Sequence, residues 1–491
     1  MSGQKKTLIR GASIVSMDSA IGDLPRGDIL IVDDRIVEVA PSISADDAEI
    51  IDATGMIASP GFVDTHRHVW QTQLKGVAID WSLFDYSCLM RSMYSICYEA
   101  DDAYLGNYVG ALDAINAGIT SIVDHSHLQI TPEHSDGLVK GLKDAGIRGV
   151  MCYGLYRNPK YKPGDTLTVA QVVDEVSGPL EEFHKVNATR VRDQHFSSND
   201  GLLRFGIAAS EFVVSPGPEP VLEEMAWVRT LDPALVSIHI GFGVNEGFRV
   251  VPLLHEHGML GDDLLFVHGA HLTDYDLALL KQHGGWLSTT PETELQMGMG
   301  YPVLERVVES GSTPSLGIDI ASNFAGDMFA QMRLMLQTMR FRHYEIANAG
   351  LPVASRYAAR KMLEFATLGG ARVMGMDSYT GSITPGKKAD LLLTRMDSVN
   401  MSPVIDPIAA LVFYADAGDI DSVWVDGVAR KRHGKLTGLD WSAVRSSLVT
   451  SRNGIYEKFR KIPEQQIRDY WSPLWKIEMP AIELPLATAG A

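Results

Sequence analysis

Two histidines, His66 and His68, stand two residues apart at the end of an apolar run that covers residues 56–63. This pattern predicts a buried strand that delivers the histidines at its C-terminal end. Side chains two residues apart on a strand point to the same side, so His66 and His68 would face one point while Arg67 faces away. Two converging imidazoles supply half of a metal site, although two ordinary structural histidines explain this stretch equally well when it is taken alone.

Three further side chains of metal-ligand type, His239, His268 and Asp319, follow later in the chain. They end the apolar runs at residues 235–239, 264–268 and 315–319. Neutral imidazoles with one carboxylate are the ligands of a catalytic divalent metal that keeps a position for water. Each side chain alone could be structural, but all of them lie at the C-terminal ends of predicted strands, which favours one shared metal site.

The elements that would position these groups alternate between strand and helix from residue 60 onward. Eight short apolar segments separated by segments of helical spacing predict a parallel sheet that is covered on both faces. Besides the strand that ends at the first histidines, they are residues 120–125, 149–153, 204–209, 235–239, 264–268, 285–288 and 315–319. Eight such strands imply an α/β fold closed into a barrel, with functional groups at the C-terminal strand ends.

Both ends of the chain read as short strands with turns. The segments are residues 7–17, 27–32 and 35–40 before the barrel, and 389–393 and 422–427 after it. Neither end could bury a core alone, so we expect them to meet in one composite β domain beside the barrel. The predicted division is 1–59 and 371–441 for that domain, 60–370 for the barrel, and 442–491 for a final helix and an extended tail.

Composition and charge limit the class of partner. The 491 residues are 45% hydrophobic and 21% charged, which is typical of a soluble globular protein. A net charge of -18 argues against binding to nucleic acid or an anionic membrane, because both need clustered Lys and Arg. Three cysteines in no metal-binding spacing, without a signal peptide or membrane span, suit a reducing cytoplasm. We expect a cytoplasmic homo-oligomer that acts on a small molecule.

The motifs around these residues resemble one family. Residues 60–68, Pro-Gly-Phe-Val-Asp-Thr-His-Arg-His, are similar to the opening motif of the amidohydrolase superfamily, in the branch of cytosine, S-adenosylhomocysteine and guanine deaminases and triazine chlorohydrolases. Residues 317–323, Gly-Ile-Asp-Ile-Ala-Ser-Asn, resemble its closing motif, and 383–391 and 425–427 resemble its C-terminal β segments. The resemblance covers nearly the whole chain and implies a (β/α)8 TIM barrel flanked by a composite β-sandwich.

The resemblance also implies roles for individual residues. One divalent metal, Zn2+ with Fe2+ as the alternative, would be held by His66, His68, His239 and Asp319. A bound metal lowers the pKa of water from about 15.7 to about 7. His268 would polarise the group under attack, and Asp319 would also accept the proton of the water and pass it to the leaving group.

One position departs from the family pattern. The deaminases carry a glutamate three residues after the strand-5 histidine to protonate a ring nitrogen, and here that position is Phe242. A phenyl ring cannot transfer a proton. Either another acid serves, with Glu246, Glu292 and Glu294 as candidates, or the reaction needs no such protonation. A solvated loop carboxylate is the more ordinary interpretation of Glu246.

Several side chains near the predicted barrel mouth are candidates for substrate contact. A second His-x-His, His125 and His127, follows strand 2, but no bridging lysine is apparent at the strand ends, so we expect one metal. Trp70 and Trp81 could wall a flat pocket or pack in a helix core. The predicted substrate-binding residues are His125, His127, Gln71, Trp81, Glu292, Glu294, His271 and Asn323.

These patterns predict a metal-dependent hydrolase that attacks an sp2 carbon of a small aromatic or heterocyclic substrate and cleaves a C–N bond. Hydrolysis of a cyclic amide or aryl–halide bond is the alternative, because Phe242 weakens the argument for deamination specifically. A non-catalytic ligand-binding barrel is the third hypothesis, and retention of the complete predicted ligand set with His268 argues against it.

Overall fold

Five strands at the start of the chain belong to a sheet that lies beside the barrel. In this computed structural model the residues described are 5–166, 168, 180–212, 215, 217–241, 249–347 and 351–475. The first strands are β1 (Lys6–Val15), β2 (Asp23–Val32), β3 (Arg35–Ala40), β4 (Glu49–Asp52) and β5 (Met56–Pro60). β1 pairs antiparallel with β2 and parallel with β4 and β5. Isoleucines of β1 and β2 pack into one apolar core with residues near the C-terminus.

Eight parallel strands form a second sheet in unbroken chain order. They are β6 (Phe62–Arg67), β7 (Ile119–Ser126), β8 (Arg148–Gly154), β9 (Leu203–Ala208), β10 (Val236–Ile240), β11 (Leu264–His268), β12 (Trp286–Thr289) and β13 (Pro314–Leu316). Every residue of β7, β8, β10 and β11 is buried, as expected when both faces of a parallel sheet are covered.

The first and last strands of this sheet meet just beyond β13. Arg67 and Asp319 form a parallel β-bridge. The main-chain N–H of Asp319 donates to the carbonyl of His66 at 2.7 Å, and the N–H of His68 donates to the carbonyl of Asp319 at 2.8 Å. These contacts close the sheet into the predicted (β/α)8 barrel.

Four strands that follow the barrel complete the first sheet. They are β14 (Leu391–Arg395), β15 (Ile420–Val425), β16 (Val428–Arg432) and β17 (Lys435–Leu436). β14 lies between β5 and β15 and pairs antiparallel with both, so the two ends of the chain share one nine-stranded mixed sheet. The predicted fold class, a TIM barrel with a composite β unit from both termini, is confirmed. The domain boundaries themselves stay a prediction.

Helices connect the barrel strands and cover them from outside. Up to the last barrel strand they are α1 (Leu83–Asp85), α2 (Ala100–Asn116), α3 (Pro132–Ala145), α4 (Glu182–His195), α5 (Pro218–Arg229), α6 (Val250–Glu256), α7 (Asp274–His283), α8 (Pro291–Gln296) and α9 (Leu304–Ser310). After it come α10 (Met328–Ala347), α11 (Ala359–Glu364), α12 (Gly370–Val373), α13 (Pro407–Phe413), α14 (Trp441–Phe459) and α15 (Glu464–Trp475).

The connection between β6 and α2 is long and carries a π-helix at Tyr86–Tyr94. The two C-terminal helices pack on this connection. The ring of Phe459 in α14 stacks on the ring of Tyr94 with centroids 4.0 Å apart, and Arg468 in α15 forms an ion pair with Asp85. The end of the chain therefore holds the π-helix in place.

The prediction of an extended arm after the final helix is wrong for residues 464–475, which form α15. Pro463 directly precedes this helix, where a missing N–H costs nothing because the first helical N–H groups have no intrahelical partner. The rest of the predicted tail, residues 476–491, lies outside the described residues. Within the described ranges, no helix has both the length and the apolar character to cross a membrane.

Candidate metal centre

Three imidazoles and one carboxylate converge at the C-terminal end of the barrel strands. Oδ1 of Asp319 lies 3.3 Å from Nε2 of His66 and 3.2 Å from Nε2 of His68. Nε2 of His239 lies 3.3 Å from Nε2 of His66. The four side chains are between 0% and 7% exposed. The structure therefore brings together the four residues predicted as metal ligands.

The local sequence explains this convergence. His66 lies near the end of β6 and His68 follows two residues later, so both rings face Asp319. Arg67 points to the other side and pairs with Asp64 at 2.7 Å. Oδ1 of Asp64 also accepts the N–H of Ile318 at 2.9 Å. The opening motif thus supplies two rings and an anchor for the residue before Asp319.

His268 and Asp319 both have left-handed backbone conformations, with φ of 76° and 72°. Such values are uncommon outside glycine, and they persist where the surroundings fix the backbone, often at functional sites. For Asp319 the fixing contacts are the main-chain hydrogen bonds to His66 and His68. The strained backbone directs its carboxylate at the histidines.

The protonation states of the cluster suit a divalent metal. Burial lowers the pKa of His66 well below its ordinary value and also lowers the pKa of His239, so both rings are neutral near pH 7. Burial raises the pKa of Asp319, but the close contacts of its carboxylate with the ring nitrogens of His66 and His68 outweigh burial and hold that pKa well below its usual range. Neutral imidazoles and an ionised carboxylate are the donors that such a metal takes.

The outward ring nitrogens of two of the histidines show which nitrogen faces the centre. Nδ1 of His68 lies 2.8 Å from the carbonyl of His125, and Nδ1 of His239 lies 3.2 Å from Oε1 of Glu211. A carbonyl and an ionised carboxylate only accept, so Nδ1 carries the proton in both rings. The lone pairs then lie on Nε2, which faces the other predicted ligands. The residues present therefore fit a bound metal.

His268 stands beside this cluster, with its ring centroid 5.6 Å from that of His66. Its Nδ1 lies 3.1 Å from the hydroxyl of Thr290 and 3.4 Å from Oε1 of Glu294. Burial lowers the pKa of His268, but Glu294 and Asp319 outweigh it and raise that pKa overall. Glu294, predicted as a substrate contact, is fully buried and anchors His268 and the end of β12.

The two histidines at the C-terminal end of β7, His125 within the strand and His127 just after it, have different contacts. Nδ1 of His125 lies 2.9 Å from the hydroxyl of Ser237, and Nε2 forms a hydrogen bond with the hydroxyl of Tyr156. The ring of His127 stacks on His68 with centroids 4.1 Å apart. Both of its nitrogens are buried and have no hydrogen-bond partner among the residues that the structure describes.

The other predicted contact residues differ in their placement. Gln71 is fully buried, accepts from Ser322 at 2.8 Å and donates to Tyr86 at 2.6 Å. Oδ1 of Asn323 accepts from Gln296 at 2.6 Å, while its Nδ2 has no partner within the described residues.

The remaining candidates have structural partners or lie at the surface. Trp81 packs near Tyr94, with ring centroids 6.3 Å apart, and lies partly buried against the apolar core. The carboxylate of Glu292 accepts from Gln331 at 2.5 Å, and His271 is exposed. The two residues that bear on the missing acid, Phe242 and Glu246, lie outside the described residues.

Comparison with protein families matches residues 57–430 to the profile described as Amidohydrolase family. The chain belongs to the amidohydrolase family. Over 416 residues it is 29% identical to a 5-methylthioadenosine/S-adenosylhomocysteine deaminase of Thermococcus kodakarensis, covering 82% of this chain and 89% of that relative.

Two solved structures have a fold similar to that of this amidohydrolase. An adenosine deaminase from Xanthomonas campestris with bound zinc has a TM-score of 0.78 and 21% identity, covering 92% of this chain and 99% of its own. An atrazine chlorohydrolase from Arthrobacter aurescens TC1 complexed with zinc has a TM-score of 0.78 and 21% identity, covering 91% and 100%. Amidohydrolases are typically dependent on divalent metals, and this chain carries a histidine-rich candidate site for one.

Sequence reasoning missed two residues of this amidohydrolase, one that contacts a predicted ligand and one that contacts the first. Glu211 follows β9 by three positions and contacts His239, and Arg91 of the π-helix lies 3.2 Å from Glu211. Burial raises the pKa of Glu211, but His239 and Arg91 outweigh it and lower that pKa to about 2. An acid just beyond a barrel strand was a usable signal for Glu211. No local signal pointed to Arg91, because its place depends on the π-helix.

A second group of metal-ligand types, Glu305, Glu309 and His343, lies on the outer helices α9 and α10. Its carboxylates already have partners: the hydroxyl of Tyr357 donates to Glu305 at 3.1 Å, and Arg356 lies 3.4 Å from Glu309. We therefore interpret this group as a structural ion-pair cluster of the amidohydrolase.

Proposed function

We propose that this amidohydrolase uses a single divalent metal, zinc, to hydrolyse a C–N bond at an sp2 carbon of a small aromatic or heterocyclic substrate. The convergence of His66, His68, His239 and Asp319 carries the proposal. The deaminase names of the relative and of one solved structure support C–N cleavage, and the zinc named in two solved structures supports the choice of metal.

The metal ligands, Asp319 and His268 have different roles in the proposed reaction. A divalent metal held by the four ligands would lower the pKa of water enough to make it a nucleophile near neutral pH. The ionised carboxylate of Asp319 accepts a proton from the attacking water and returns it to the leaving group. His268 is held at Nδ1 by Thr290 and Glu294, which places Nε2 on the opposite side of its ring, where it polarises the group under attack.

His127 and Asn323 are the best candidates for substrate contact. Both have buried polar atoms without a hydrogen-bond partner in the part of the chain that the structure describes. A buried polar group left unpaired costs about 1–3 kcal/mol, which a hydrogen bond to substrate would recover. A planar heterocycle with ring nitrogens or exocyclic amino groups offers matching donors and acceptors.

The bond that is cleaved depends on the missing acid. Glu294 contacts His268, and Glu292 accepts a hydrogen bond from Gln331. These contacts do not place either of the two described candidates in the role of a glutamate at position 242. Hydrolysis of an aryl–halide or cyclic amide bond is therefore our second candidate. Of these two reactions, hydrolysis of an aryl–halide bond is favoured by the structural similarity to an atrazine chlorohydrolase.

We also propose that the protein is a cytoplasmic homo-oligomer that does not bind nucleic acid or membranes. Its formal net charge of -18 supports the second part, because polyanion binding requires clustered basic residues. The small number of cysteines supports a reducing compartment.

Metal analysis and a substrate screen test the proposed function. We expect one zinc per chain and metal-dependent ammonia release from at least one member of a panel of aminopurine nucleosides, aminopyrimidines, pterins and aminotriazines. Asp319→Asn should lower that turnover by about three orders of magnitude or more, as loss of an essential catalytic group does. A folded protein that cannot be loaded with metal would refute the proposal. No ammonia release across this panel, together with hydrolysis of aryl–halide or cyclic amide substrates, would select the second candidate.

A further inference from the structure

Glu211 contacts the predicted metal ligand His239 from the side opposite the centre. Its Oε1 lies 3.2 Å from Nδ1 of His239, while Nε2 of the same ring lies 3.3 Å from Nε2 of His66. Within the described residues, the other two predicted histidine ligands lack such a partner: Nδ1 of His68 meets a main-chain carbonyl, and Nδ1 of His66 meets no hydrogen-bond partner. His239 therefore differs from both in having a charged partner at Nδ1, the nitrogen that faces away from the centre.

The chain fixes this carboxylate on two sides. Ser210, the preceding residue, donates its N–H and its hydroxyl to the carboxylate of Glu224 at 2.9 Å and 2.6 Å, which anchors the loop after β9. On the other side, Arg91 lies 3.2 Å from Oε1 of Glu211, and its guanidinium stacks over the ring of Tyr156 at 4.1 Å. A carboxylate held in this way can orient the ring that it contacts.

We propose that Glu211 is a positioning residue that prepares His239 to bind the metal. By accepting the Nδ1 proton it selects the tautomer with a lone pair on Nε2, and its charge makes that nitrogen a stronger donor. The inference rests on the metal dependence in the proposed function, and it concerns the strength of metal binding rather than the identity of the substrate.

The competing explanation is a structural ion pair between Glu211 and Arg91. Under that explanation, loss of the carboxylate would destabilise the folded chain whether or not metal is present. Under ours, the metal-free protein keeps most of its stability and loses affinity for zinc. The two explanations therefore differ in a quantity that can be measured without any substrate.

The test uses Glu211→Gln, which keeps an acceptor oxygen but removes the charge, and Glu211→Asp, which withdraws the carboxylate by one methylene. Glu305→Gln is the matched control, because Glu305 is a buried carboxylate with tyrosine, arginine and histidine neighbours away from the barrel mouth. Zinc affinity is measured on metal-stripped full-length protein by competition with a chromogenic chelator. Thermal unfolding of the same metal-free samples reports on structure.

We expect Glu211→Gln to weaken zinc binding about 10–100-fold, as removal of a partner of a metal-bound histidine typically does. Glu211→Asp should bind zinc more weakly than wild type, and Glu305→Gln should bind it equally well. The inference would be overturned if Glu211→Gln bound zinc as tightly as wild type. It would also be overturned if Glu305→Gln lost as much zinc affinity as Glu211→Gln. If wild type itself binds no zinc, the proposed function fails instead, so the two failures are distinguishable.

Discussion

Asp64 and Arg67 form a buried ion pair at the seam of the barrel, with 2.7 Å between Oδ2 of Asp64 and Nε of Arg67. The guanidinium also donates to the carbonyl of Gly326 at 2.9 Å. Because the other oxygen of Asp64 accepts the N–H of Ile318, the pair ties the strand of the first two histidines to the residue before Asp319. This ion pair therefore supports the candidate metal centre as well as the fold.

We predict that Arg67→Met lowers the free energy of unfolding by about 3–5 kcal/mol, because it leaves the buried Asp64 carboxylate without its partner. The metal content should fall with it, since the guanidinium no longer holds Asp64, the residue that anchors the N–H of Ile318 beside Asp319. Denaturant unfolding and metal analysis check both parts. Arg445→Met, at an exposed position of α14, is the control, and equal behaviour of the two variants would contradict the prediction.

The different contacts of His125 and His127 predict different defects. His127→Phe keeps a ring that can stack on His68 but removes both unpartnered nitrogens, so kcat/KM should fall about 10–100-fold while zinc stays bound. His125→Phe loses the hydrogen bonds to Ser237 and Tyr156, so we expect lower thermal stability. Steady-state kinetics, zinc analysis and thermal unfolding separate these effects. Wild-type kinetics in His127→Phe would show that the ring does not contact substrate.

Glu224 should make stability depend on pH. Burial raises the pKa of this carboxyl to about 7 from an ordinary 4.5, although hydrogen bonds from Ser210 oppose the shift. Between pH 4.5 and 7 the folded state holds a proton that the unfolded state has lost, so the free energy of unfolding of wild type falls as pH rises through that window.

Glu224→Gln removes this titration but can keep both hydrogen bonds to Ser210. Relative to wild type, its free energy of unfolding should rise with pH through that window, by at most about 3 kcal/mol. Unfolding measured at pH 5 and pH 8 checks the difference. A difference between the two proteins that does not change with pH would contradict the assigned role of Glu224.

The stacking of Phe459 on Tyr94 predicts a local effect. Phe459→Ala removes an aromatic pair worth about 0.5–1.5 kcal/mol beyond its buried area, and the π-helix at Tyr86–Tyr94 should then open more often. Hydrogen exchange followed by mass spectrometry should show faster exchange than in wild type in this segment. The exchange rate of the barrel strand Ile119–Ser126 should not change. Phe341→Ala, at a ring that is 57% exposed, is the control. Unchanged exchange in the π-helix would show that the stack does not hold it.

The barrel and the meeting of the four predicted ligands could be inferred from the sequence because both have local signals. Each barrel strand is a short apolar run, and His66, His68, His239 and Asp319 end such runs or directly follow them. Parallel strands bring their C-terminal ends to one side of a barrel, so the fold class and the convergence of these ligands follow together.

Other parts of the site depend on contacts that the sequence does not display. Arg91 reaches Glu211 because the π-helix is held by Phe459 and Arg468, which lie more than 300 residues later in the chain. The tail helix α15 was missed because its prolines suggested extended chain, although Pro463 lies where a helix tolerates it. The contact of Glu294 with His268 likewise depends on the fold, which brings the two residues together.

The strand before the first histidines has its sheet partner near the far end of the chain. β5 runs through Gly61 directly into β6, and it pairs antiparallel with β14, where Pro60 lies opposite Leu391. Pairings between segments so distant in sequence form slowly, because the entropy of closing the loop is lost before the contact forms. On the ribosome, β5 cannot gain this partner until more than 300 further residues have been translated. The order of synthesis thus makes the docking of β14 on β5 a late event in the folding of the nascent chain.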